Sequence, residues 1–199
     1  MKSYSTIILI LLCSLNLFGQ TKYIYNYKQG YKFIRQAETN LNKDNLTKAE
    51  RLIAKAKISS YGFCGNAWAS AHSTIALIET QIFQKKKMYD EALSVLDSID
   101  GCNFGGDCSA RDSLKILTLY LKFGKEKVKQ AFQNVNTVMT TEDTEFDHEY
   151  WVFLDDLKYR FWFRGPYPKY ENGKKVEQEK SGNDFYDIAK DQSFFRLLE

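Results

Sequence analysis

The stretch "KKKMYDEALSVLDSID", from Lys85 to Asp100, has relatives elsewhere in the chain, and their recurrence constrains the fold more than any other feature. Ala92, Leu96 and Ile99 set apolar residues at offsets of four and seven behind a polar turn. Ala49, Ile53 and Ala56 repeat those offsets in "DNLTKAERLIAKAK", with Leu46 standing where Tyr89 does. Val128, Phe132 and Val135 repeat them in "GKEKVKQAFQNVN", with a larger residue at the small position and the preceding glycine one place out of register. Ahead of each copy runs a further stripe stepping by threes and fours. These are Tyr27, Gly30, Ile34, Ala37 and Leu41; then Trp68, Ala71, Ile75, Ile78 and Ile82; then Leu114, Leu117 and Leu121. Such steps fall on one side of a 3.6-residue helix, so the chain predicts three consecutive helical hairpins. Two prolines in 199 residues leave the backbone free to be helical, and the expected class is all-α.

The anchors lie 43 residues apart from Ala49 to Ala92 and 36 apart from Ala92 to Val128. Tetratricopeptide repeats have a period near ~34. The second interval fits, and the first needs an insertion, for which "SSYGFCGN" is the candidate. "KKKMYDEALSVLDSI" resembles the second half of a tetratricopeptide repeat, and "KDNLTKAERLIAKAK" is similar to it. Ala37 sits where the small residue of a first helix belongs, but Thr80 takes that place in the second copy, and neither copy has the tryptophan and leucine of the full motif. The resemblance implies a divergent, right-handed array of about three hairpins over residues 20–142. It also implies a concave face, lined by the first helices, that holds a protein or peptide partner. Lys32, Arg35, Glu38, His72, Glu79, Lys115 and Thr118 are left over by the core stripes on those helices and are the expected contacts.

Residues 143–199 read as a subregion that closes the end of the array. A long helix is expected from Thr144, with Phe146, Tyr150, Phe153 and Leu157 as its stripe and Trp151, Leu154 and Trp162 widening the apolar arc. Gly165 and Pro166 end it. The Asn-Gly pair in "KYENGKKV" predicts a loop or β-hairpin near 166–182. A final helix is expected behind Asn183 or Asp184, with Phe185, Ile188 and Phe195 packing back on the domain.

Met1 to Gly19 has one lysine, an apolar run from Ile7 to Leu12 continued by Leu15, Leu17 and Phe18, and a small residue at its end. That is the pattern of a cleaved secretory signal, and the "FGQ" ending resembles signal peptides of the Bacteroidota. The apolar stretch falls short of the roughly 20 residues that span a bilayer, so no transmembrane anchor is expected after cleavage. Lipidation at Cys13 is disfavoured, because Leu12 stands where a small residue belongs. The expected location is the periplasm or the exterior.

Loss of the leader removes one of 28 basic residues and none of the 25 acidic ones, leaving a net +2. Nothing forms the basic stripe that nucleic acid requires. Three cysteines remain. In an oxidising compartment Cys102 and Cys108 of "GCNFGGDC" suit a disulfide across a glycine-rich loop, though pairing of Cys64 with either, or three reduced thiols, stays open.

Catalytic groups are thin, and no enzyme activity or cofactor is expected. Cys64 and His72 resemble no known cysteine hydrolase site. Asp143, Glu145, Asp147, His148 and Glu149 form the one dense cluster of metal-capable residues, and compensation of a helix dipole accounts for it more simply than metal binding. A metal-dependent hydrolase using that cluster is the alternative to the binding module. A periplasmic immunity-type inhibitor is a special case of the module.

Overall fold

The computed structural model describes residues 23–99, 108–135, 147–164, 170–171, 174–175, 189–190 and 192–199. The leader with Cys13, and Cys102, Asp143, Glu145, Phe146, Asn183, Asp184, Phe185 and Ile188, lie outside the described residues. The protein is mostly helical. Among the described residues six bounded α-helices appear in order: α1 (Tyr27–Asn42), α2 (Leu46–Lys57), α3 (Gly65–Lys85), α4 (Tyr89–Asp97), α5 (Cys108–Phe123) and α6 (Lys125–Gln133). Strands β1 (Asp147–Leu154) and β2 (Leu157–Arg164) follow, then the two-residue strands β3 (Tyr170–Glu171) and β4 (Lys174–Lys175) and a 3-10 turn at Ser193–Leu197.

Local chemistry explains where the helices begin and turn. Asn26 opens α1 with a reciprocal cap: its Oδ1 accepts from Gln29 N at 3.1 Å, and Gln29 Oε1 accepts from Asn26 N at 3.0 Å. Each helix pair then closes through one residue in the left-handed region: Asp44 at φ 56°, Lys87 at φ 61° and Gly124 at φ 88°. The first two turns share one hydrogen-bond scheme. Asp44 N reaches Leu41 O at 3.0 Å and Asn45 N reaches Asn40 O at 2.8 Å, while Lys87 N reaches Gln84 O at 3.0 Å and Met88 N reaches Phe83 O at 2.9 Å. This is the Schellman arrangement that satisfies the last helical carbonyls. The third turn is compressed into Gly124 alone, which accounts for the glycine lying out of register in the sequence.

Longer helices accompany the longer first interval: α2 has 12 residues against 9 in α4, and α3 has 21 against the 16 described in α5.

Packing runs from neighbour to neighbour. α1 contacts α2 and α3; α3 contacts α2, α4 and α5; α5 contacts α4 and α6; and α6 meets β1. Ile34, Ala37 and Leu41 pack with Ala49, Ile53, Ala56, Ala71, Ile75, Ile78 and Ile82 in the first core. Ala76, Leu96 and Ile99 bridge onward. Ion pairs cross each junction: Lys85 to Asp44 and Lys86 to Glu50, then Lys122 to Asp90, then Lys127 to Asp155. Most are exposed at one or both ends, so they set register more than they add stability.

Two expectations are corrected. The stripe on α5 is rotated: Leu117 and Leu121 are exposed, and Ile116 and Leu119 enter the core in their place. Arg111, Asp112, Lys115 and Thr118 are buried beside them. Apolar periodicity finds a core face only when that face is apolar, and here four of its six buried residues are paired polar groups.

Within the helix expected from Thr144, residues 147–164 form a β-hairpin. β1 and β2 pair antiparallel from Asp147 opposite Arg164 to Leu154 opposite Leu157, and turn through Asp155 and Asp156 with Asp155 at φ 54°. Asp tolerates that left-handed conformation better than most residues. Tyr150, Val152 and Leu154 are buried with Tyr159 and Phe161, whereas Phe153 and Leu157, placed on the expected stripe, are exposed. The period is two, so one face packs on α5 and α6 and the other meets solvent.

The hairpin closes the array's far end. Val152 and Phe161 join Ile116, Leu119, Val128, Phe132 and Phe194 in the second core, with Phe132 and Phe161 rings 5.1 Å apart. Phe195 packs back as expected, from a 3-10 turn. Tyr120 Oη donates to Leu197 O, and Lys129 Nζ donates to Glu199 O at 2.6 Å, tying the end of the chain to α5 and α6. Tyr170–Glu171 pairs with Lys174–Lys175 on either side of the Asn-Gly pair.

Candidate functional site

A cleft of about 590 Å³ opens between α3 and α4 beside the end of α2. His72, Ser73, Ala76 and Glu79 come from α3, Ser94, Val95, Ser98 and Ile99 from α4 and its end, and Lys57 from α2. The length of α3 makes the cleft possible, because a 21-residue helix runs alongside both α2 and α4 and presents residues between them. Ile75, Ala76 and Ile99 are buried and form an apolar floor. Polar groups ring it. Lys57 Nζ lies 2.6 Å from Glu79 Oε1 across one side, and Ser98 Oγ donates to Val95 O at 2.6 Å on another.

His72 is placed by aromatic rings. Its imidazole meets Trp68 edge-on at 5.3 Å and Tyr61 edge-on at 6.2 Å. Both neighbours are themselves fixed, because Trp68 Nε1 donates to Gly62 O at 2.7 Å and Tyr61 Oη donates to Ala56 O at 2.9 Å. Burial pushes the Tyr61 phenol up to about 12, with Tyr31 adding to the rise and a hydrogen bond with Ser59 opposing it. Gly30 lets α1 approach this loop closely: a Cβ there would stand 2.8 Å from Ser59 Cβ and 2.9 Å from Tyr61 Cε1.

The expected contact residues therefore separate into three groups. His72 and Glu79 meet in the cleft with Lys57, which sequence reasoning missed because it lies on a second helix. Lys32, Arg35 and Glu38 are exposed on α1 but do not line it. Lys115 and Thr118 are buried and are removed from the contact surface. Lys115 Nζ donates to Asp97 and to the carbonyl of Arg160 and lies 5.1 Å from the Phe161 ring centre. Thr118 Oγ1 donates to Leu114 O at 2.6 Å and accepts from Gln84 Nε2 at 2.8 Å. Both hold the array to itself.

Among the described residues no group of three or more His, Cys, Asp or Glu side chains is placed to hold a metal ion. Asp147, His148 and Glu149 begin a strand, so compensation of a helix dipole no longer accounts for that acidic run. Cys64 is an exposed free thiol at the N-cap of α3, and His72 lies about two turns further along. Among the described residues no helix is long and apolar enough to cross a membrane.

No family model, curated protein or solved structure matches this chain. The functional reading rests on its own geometry.

Proposed function

We propose that this is an exported, non-catalytic binding protein that holds a peptide or protein segment in the cleft between α3 and α4. One observation carries the reading. A repeated hairpin architecture leaves an open cleft of about 590 Å³ lined by His72 and Glu79, two residues that the repeat pattern assigns to partner contact. The cleft has an apolar floor, an ion pair on its rim and serine hydroxyls along α4, a mixture that suits an extended segment offering one apolar side chain and main-chain polar groups. Stacked hairpins build such surfaces without any catalytic group.

The tetratricopeptide-like ancestry, the cleavage after Gly19 and a periplasmic or secreted location belong to the same proposal. So does a Cys102–Cys108 disulfide, which a free Cys64 supports by leaving those two cysteines to each other. Intact mass before and after reduction tests the bridge, and the N-terminal residue of the exported protein tests the cleavage. Capture with wild-type protein and with a His72→Asp, Glu79→Lys variant tests the cleft. A partner held by the cleft is lost from the variant; a partner retained by it places recognition elsewhere.

A further inference from the structure

The end of the array opposite the β-hairpin carries a second surface. Ile24, Tyr27, Ile58 and Phe63 are exposed there together with Tyr23, and Phe63 is fully exposed among the described residues. They belong to one place in the fold. Ile24 N donates to Ile58 O at 3.1 Å, Tyr25 bridges to Ser59, and Tyr23 lies 4.9 Å from the Trp68 ring, whose Nε1 is held by Gly62 next to Phe63. Hydrogen bonds therefore hold Ile24 beside Ile58 and tie Trp68 to the loop that carries Phe63, and exposed apolar residues gathered at one end of the fold mark an interaction surface.

Charge narrows the partner. On the turns nearest these residues stand Lys28 and Lys32 at the start of α1 and Lys55 and Lys57 at the end of α2, with no acid among residues 23–37 or 51–63. Lys28 follows Tyr27, Lys57 precedes Ile58, and Lys55 Nζ sits 5.6 Å from the ring centre of Phe33, which is edge-on to Tyr25 at 5.0 Å. Lys57 is shared with Glu79, but neither Lys28 nor Lys55 has an acidic partner in an ion pair among the described residues. Aromatic tips flanked by lysines are the composition of surfaces that rest in the headgroup region of a bilayer, and an excess of positive charge selects anionic lipid.

We propose that this N-terminal face docks peripherally on an anionic membrane surface, with Ile24 and Phe63 entering the headgroup region and the lysines of α1 and α2 meeting lipid phosphates. The docking does not depend on the cleft reading.

Sedimentation with vesicles tests it. The whole exported protein is mixed with vesicles of phosphatidylglycerol in phosphatidylcholine, and with phosphatidylcholine alone, at low and high salt. The expected result is binding to the anionic vesicles that weakens with salt and falls at least about tenfold in an Ile24→Asn, Phe63→Ser variant, a change at exposed sites that leaves the helical signal intact. A polarity-sensitive fluorophore on the free thiol of Cys64, next to Phe63, should shift to the blue when vesicles are added. Absence of binding to the anionic vesicles overturns the proposal. So does binding that is equal on neutral vesicles or unchanged in the variant, which would point to a retained leader. Capture of a protein through this patch without lipid binding also overturns it.

Discussion

Arg111 and Asp112 are neighbours in the chain and partners in space: Arg111 Nε lies 2.8 Å from Asp112 Oδ1 and Nη2 lies 3.2 Å from Oδ2, both side chains buried. Arg111 also donates to Ile99 O at 2.9 Å and to Trp162 O, joining the end of α4 to β2. Burial pushes the Asp112 carboxyl up, and Arg111 opposes that rise. Breaking such a pair strands one charge in the interior. Asp112→Ala should cost about 3–5 kcal/mol, measured by denaturant unfolding, with loss of near-ultraviolet dichroism from Trp162 before loss of helix.

Gly30 is required by space. Its φ is ordinary for a helix, and alanine would be preferred there on propensity by about 1 kcal/mol. The Cβ would nevertheless collide with Ser59 and Tyr61. Gly30→Ala should therefore destabilise by about 1–3 kcal/mol, read as a lower denaturant midpoint and an altered Tyr61 and Trp68 fluorescence.

Thr80 and Lys87 are places where the fold carries a cost. Thr80 Oγ1 is buried with no hydrogen-bond partner among the described residues, and Thr80→Val, of equal shape, should raise stability by about 1 kcal/mol. Lys87 holds a left-handed φ of 61° that glycine adopts freely. Lys87→Gly should raise stability by about 1 kcal/mol, and thermal melts of the two single variants and the double should show the gains adding.

Alkaline pH should weaken the fold through Tyr61. Its folded value, raised to about 12 against the ordinary 10.0, means the neutral phenol is favoured in the native state. That contribution is complete below pH 10 and is lost as pH rises toward 12. Denaturant unfolding from pH 9 to 12 should show the decline, and a Tyr61→Phe variant should lose the part of it that belongs to this phenol while starting lower by about 1 kcal/mol for the lost bond to Ala56 O.

These residues also show what the sequence made legible. α1 to α4 were readable because Ile34, Ala37, Leu41, Ala49, Ile53, Ala56, Ile75, Ile78, Ala92 and Leu96 form buried stripes with few polar interruptions. α5 was not, because Arg111, Asp112, Lys115 and Thr118 enter its buried face through pairings with residues distant in sequence, such as Ile99, Trp162, Arg160 and Gln84. The hairpin was hidden by apolar residues on both faces: exposed Phe153 stands between buried Val152 and Leu154. The usable signal was the alternation of Tyr159 and Phe161 with Lys158 and Arg160, after an Asp-Asp turn. The cleft needed tertiary structure, since Lys57 meets Glu79 across 22 residues of sequence.

The most direct test is quantitative capture from the envelope of the producing cell with three baits: wild type, the cleft variant His72→Asp, Glu79→Lys, and a control variant Arg35→Glu, Glu38→Lys on the exposed face of α1. A cleft-held partner should be enriched by wild type and by the control and reduced at least about tenfold by the cleft variant, with all three baits melting alike. Equal recovery by all three, or loss with the α1 variant alone, would contradict the assignment of the cleft as the binding site.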